Sequence, residues 1–118
     1  MPTSPLDQSL VHAGLLDELP IVTEATTSRV IVNNPLLRHV LFSMDTGQVL
    51  TEHSSSRAVI VQMLSGKLLF NVAGQDHTIS AGDVIYLAPN ERHALEALAP
   101  TQLALTLVVV PSAKDSGA

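Results

Sequence analysis

The sequence predicts an all-β sandwich or barrel, and three observations carry that expectation. From Ile21 onward the chain breaks into short β-branched or apolar runs, among them "RVIV", "LLRHVLFSM", "RAVIVQML", "KLLFNV", "HTIS", "VIYLAP", "HALEAL" and "LALTLVVV". Between them stand turn signals rich in Gly, Asn, Asp and Pro: "NNP", "DTG", "SG", "AGQD", "AGD" and "NER". Runs of that length with that punctuation read as strands joined by tight turns. Third, the stretch Arg57–Leu64 is apolar on both faces, as in a wall whose outside is also covered by a sheet, a helix or a second subunit.

Each region then takes its place in order. "MPTSP" (1–5) and "PSAKDSGA" (111–118) are small, polar and Pro-bearing, so frayed ends and a disordered tail over 111–118 are expected. In "LDQSLVHAGLLDEL", Leu6, Leu10, Leu15, Leu16 and Leu19 fall near one side of a helical wheel. Gly14 interrupts the pattern, which limits the expectation to a short helix or a single turn. Residues 1–35 read as an N-terminal segment with arm strands packing on the barrel, and 36–110 as the barrel itself, in one domain. In "LLRHVLFSM", Val40, Phe42 and Met44 form the inward set and His39 points outward. On 57–64, Gln62 shares an outer face with Ile60 and Leu64, where it could hydrogen-bond across a dimer interface.

Composition removes several functions. The 118 residues are 46% hydrophobic and 14% charged, which argues against disorder. Eleven Asp and Glu against six Lys and Arg give a net charge of −5 with no basic cluster, so no nucleic-acid partner is expected. The absence of cysteine excludes disulfides, thiolate metal sites and a Cys nucleophile. "LALTLVVV" is too short for a membrane-spanning helix, and "MPTSPLDQSL" lacks the features of a signal peptide. The expectation is a cytoplasmic protein with no membrane partner.

With these strands and turns in view, the chain resembles the small single-domain cupins over about residues 36–110. Their first motif reads Gly, five residues, His-x-His, three or four residues, Glu, six residues, Gly. Gly47 opens that frame, Gly66 closes it and His53 takes the first histidine position, but Ser55 and Val59 stand where the second histidine and the glutamate belong. The second motif places a Gly, a Pro-containing turn, a His and an Asn. Here Gly82 matches, Pro89 is shifted by one, Asn90 replaces a glycine, His93 is kept and Ala97 replaces the asparagine. Asn tolerates the left-handed conformation that glycine would supply.

The resemblance implies a double-stranded β-helix, the jelly-roll barrel of RmlC-like cupins, with a short N-terminal helix or turn. It also implies that His53 and His93 face one interior, with Ser55, Val59, Val61 and Met63 as further lining. The pocket so implied is aliphatic, with the two histidines as its polar handles, and suits an unidentified small molecule. The competing expectation is that these side chains merely fill a small barrel.

Cupins bind a divalent transition metal through the motif residues, here reduced to His53 and His93. Two imidazoles fall short of the usual three or four protein ligands. The expectation is therefore a binding barrel with a degenerate metal site. The alternative is a metal-dependent enzyme of dioxygenase or isomerase type, using Fe, Mn, Ni or Zn on a reduced ligand set. Three further histidines are less well placed: His39 outward, His77 beside the turn "AGQD", and His12 in the N-terminal segment. Glu52 is one residue off the ligand position. Ser54, Ser55 and Ser56 read as a polar turn, and Arg57 as a surface residue that would otherwise grip an acidic group. No catalytic residue is assigned. A homodimer formed through the apolar sheet is expected, as in small cupins generally.

Overall fold

The computed structural model describes residues 5–111. Expectations about the terminal residues 1–4 and 112–118 fall outside them. Nine strands follow a single helical turn: α1 (Leu15–Glu18), β1 (Thr26–Asn33), β2 (Leu37–Met44), β3 (Val49–His53), β4 (Ala58–Ser65), β5 (Lys67–Val72), β6 (Gln75–Ser80), β7 (Val84–Leu87), β8 (His93–Ala97) and β9 (Thr101–Val108). They form two antiparallel sheets, one ordered β1-β2-β9-β4-β7 and the other β3-β8-β5-β6. Two sheets exchanging strands in this way make a jelly-roll double-stranded β-helix.

Period-two patterning decides which faces meet. Val59, Val61 and Met63 on β4 alternate with the more exposed Ile60, Gln62 and Leu64. The inward set packs with Met44, Leu68, Phe70, Ile79, Leu87, Leu95, Ala97 and Leu103 in one core between the sheets. Phe42 packs against that core from β2, two residues from Met44.

Two details of β3 depart from a plain reading of the sequence. β3 is a strand although "VLTEH" lacks an alternating apolar pattern; its pairing with β8 makes it one. Within it a bulge separates the pairs Leu50↔Leu95 and His53↔His93, so three steps on β3 match two on β8. The leucine-rich N-terminal segment forms the expected single turn of helix, entered at Gly14 with φ 75° and followed by Pro20. The Gln102 side chain on β9 fastens that turn to the outside of the five-stranded sheet, donating to the carbonyls of Leu16 (3.1 Å) and Leu19 (3.0 Å).

Two loops decide where a site can form. The β3–β4 loop (54–57) and the β7–β8 loop (88–92) both cross from one sheet to the other at the same end of the barrel. A 2.6 Å hydrogen bond from the Asn90 N–H to the Ser55 carbonyl joins them. Asn90 sits at φ 67°, the left-handed conformation its position in the turn requires. At the opposite end lie the turns holding Gly47, Gly66 and Gly82.

Candidate functional site

The site is built from the end of the barrel under those two loops. His93 opens β8, is 5% exposed, and stands opposite Val72 of β5 and His53 of β3 in the backbone register. Its ring lies nearly parallel to Phe70, with centroids 6.0 Å apart and planes 17° apart. Nδ1 is 3.1 Å from the Glu91 carbonyl oxygen. A carbonyl only accepts, so Nδ1 carries the proton in that contact, and in the neutral ring Nε2 is the nitrogen with the lone pair. The β3 bulge brings the His53 backbone to its place opposite His93, which strict alternation from Leu50 would not. The side chains of Glu52 and His53 lie outside the described part of the structure.

The other residues implied by the family resemblance divide by depth. Ser55 is half-buried in the crossing loop, where its Oγ accepts the Arg57 N–H at 3.1 Å. Val59 sits just beneath the loop at the start of β4, packed into the core. Val61 and Met63 lie deeper and are each 1% exposed, against Leu68 and Phe70 at 0%. Side chains with so little accessible surface leave no water-sized space among them. At that depth the interior is filled, and Val61 and Met63 are core rather than lining. Nearer the end the inward-facing Val72, Leu105 and Leu107 are only partly buried, packed against the core.

Two arginines join this end. Arg38 precedes Val40, Phe42 and Met44 on the inward face of β2 and pairs with Leu107 of β9, which in turn pairs with Val59. Arg57 stands in the β3–β4 loop, two residues before Val59. The expectation of surface exposure for Arg57 is overturned: it is half-buried, and its Nη1 is enclosed without a hydrogen-bond partner. Arg38 Nε is enclosed in the same way. Arg57, Ser56, Pro89, Asn90 and Val109 line a concavity of about 530 Å³ at this end.

The remaining histidines lie elsewhere. His77 is exposed and pairs with Phe70 across β5 and β6, lining a separate opening with Val72, Ile79, Val84 and Ile85. His39 lies on the outer face of β2, with Nδ1 2.8 Å from Thr106 Oγ1, and its partial burial lowers its pKa from the ordinary imidazole value. His12 contacts Glu18 at 2.7 Å near the helical turn.

The family's metal ligand set is not reproduced by the residues at its positions. Ser55 supplies a hydroxyl already engaged with the Arg57 N–H, and Val59 supplies an alkyl group within the core. Among the described residues no three His, Cys, Asp or Glu side chains are grouped as ligands. No step is therefore derived through a metal.

Comparison with known proteins agrees with this architecture. The cupin-domain family profile matches residues 40–110, and the chain belongs to that family. A conserved protein of unknown function from Streptococcus pyogenes superposes with a TM-score of 0.80 at 26% identity, covering 95% of this chain and 98% of the other. A cupin-superfamily protein from Desulfitobacterium hafniense gives a TM-score of 0.76 at 16% identity, with 92% and 97% covered. An RmlC-like cupin from Shewanella frigidimarina gives 0.74 at 19%, with 92% and 96% covered. The last two likenesses concern the fold alone. Comparison with curated proteins gives no match.

Proposed function

We propose that this cupin barrel is a small-molecule-binding module whose ligand enters at the His93 end. The observation that carries the reading is His93 itself, an almost fully buried imidazole held by Phe70 and the Glu91 carbonyl. Partly buried Val72 and Leu107 stand nearby on the inner faces. A few oriented polar groups within an apolar concavity are the usual makings of a ligand site. His53, opposite His93 in register, is the second polar handle in this reading.

NMR screening of tag-free protein with a fragment library tests it. Binding fragments should shift the His93 ring resonances and the methyls of Val59, Val72 and Leu107, and His93→Ala should abolish the response. A screen with no response at these groups would leave only a filled structural barrel. Stoichiometric Fe, Mn, Ni or Zn in the purified protein, lost on His53→Ala, would instead favour the metal-dependent enzyme.

We also propose a homodimer through the outer face of the five-stranded sheet. Ile60 and Tyr86 are cross-strand partners there, 43% and 62% exposed, flanked by exposed Leu64 and Val84. A contiguous apolar patch of this kind is characteristic of an interaction surface. Light scattering should give twice the chain mass, and Tyr86→Asp should return it to the monomer value; a monomer at high concentration contradicts the proposal.

A further inference from the structure

We propose that Arg38 and Arg57 form an anion-recognition pair that grips the carboxylate of a small acid with an apolar body. This deepens the pocket reading above and rests on it.

β9 lies between β2 and β4, and Leu107 pairs with Arg38 on one side and Val59 on the other. Arg57 stands in the β3–β4 loop, two residues before the inward-facing Val59, and lines the concavity at this end. Arg38 thus reaches this end from β2 and Arg57 from the loop that enters β4, on either side of β9.

Each has an enclosed nitrogen with no hydrogen-bond partner, Nε in Arg38 and Nη1 in Arg57. An enclosed donor without an acceptor is destabilising. Lysine or histidine could relieve that cost by losing a proton; a guanidinium stays charged at every physiological pH. The missing partner is therefore an acceptor, preferably an anionic one.

Among the described residues none provides it. The ion pairs among the described residues join Glu18 to His12 and Arg29, and neither involves Arg38 or Arg57. Arg38 and Arg57 are two of the chain's six Lys and Arg. The partly buried Leu107, beside Arg38, adds an apolar wall. A carboxylate with a hydrocarbon body matches both features: the planar fork of a guanidinium fits its two oxygens, and the chain covers the wall. Inorganic phosphate would satisfy the charge and leave the wall bare.

The test uses the full chain with ¹⁵N-labelled arginine and labelled Val and Leu methyls. It is titrated with hexanoate, hexanamide or inorganic phosphate. Hexanoate should shift the Nε–H signals of Arg38 and Arg57, and each of Arg38→Gln and Arg57→Gln should weaken it about tenfold or more. Both variants should melt no lower than the parent, because each removes an unanswered enclosed donor. Equal binding of hexanamide, or phosphate binding as tightly as hexanoate, overturns the proposal. So does a variant that melts lower yet binds hexanoate unchanged, the mark of a purely structural arginine. Methyl shifts at Val59 and Leu107 caused equally by amide and acid would preserve the pocket and reject acid recognition. No response to any probe would reject both.

Discussion

The two ends of the barrel differ in the polar groups they enclose without a partner: guanidinium nitrogens of Arg38 and Arg57 at the His93 end, and the hydroxyl of Thr27, opposite Ser43, toward the other. At the Gly66 end, Thr101 is fully buried and fully answered: its Oγ1 accepts the Lys67 N–H at 3.0 Å and donates to the Ala99 carbonyl at 2.8 Å. Gly66 holds φ 87° beneath it, where an added Cβ would overlap the Pro100 carbonyl and Thr101 itself. At the His93 end, guanidinium nitrogens of Arg38 and Arg57 are enclosed and unanswered. Hydrogen bonds that close within the chain hold a fold together. The open guanidinium donors are the ones proposed to receive a ligand, and the Thr101 hydrogen bonds close the opposite end within the chain.

The sharpest way to break this contrast is Gly66→Ala. It combines a left-handed backbone with overlap against backbone atoms, and should cost about 3 kcal/mol or more in denaturant unfolding. A loss below about 1 kcal/mol would show that this turn relaxes easily. Thr101→Val keeps the shape but strands the Lys67 N–H, and should cost about 2 kcal/mol by the same measurement.

At the other end the expected penalties are smaller. Asn90 occupies the left-handed region at φ 67°, so Asn90→Ala should cost about 1 kcal/mol while Asn90→Gly should not destabilise. Equal melting temperatures for the two variants would mean that the turn does not depend on this conformation.

The smallest effect is a pH dependence from His39, on the outer face of β2. Burial lowers its folded-state pKa from the ordinary imidazole value of about 6.5. The unfolded chain therefore takes up the proton first as pH falls, and stability present above 6.5 declines below it until the folded form also protonates. His39→Asn should flatten that part of the stability profile, and an unchanged slope would assign it to other groups.

Much of this architecture was legible because strands with one buried face announce themselves. The alternation of Val59, Val61 and Met63 and the glycine-marked turns were visible, as was the fitness of Asn90 for a left-handed turn. β3 was obscured because "VLTEH" becomes a strand through β8, and its bulge is a property of that pairing.

The site was read less completely. His93 stood out from its motif, whereas Val61 and Met63 could be separated from a pocket only by how tightly the deep interior packs. Arg38 continues the inward series of Val40, Phe42 and Met44. Arg57 stands in a loop, where no alternation marks its direction, so its sequence leaves open both surface exposure and a grip on an acidic group. Sequence alone could not show that their nitrogens lack acceptors.

The central claim is that one end of the barrel is built to bind and the other to hold. Methyl NMR of tag-free protein during a hexanoate titration tests it most directly. The account predicts saturable shifts at Val59, Val72 and Leu107, with Met44, Leu68 and Leu103 in the filled interior unmoved. Shifts spread evenly over both sets, or none at saturating hexanoate, would contradict it.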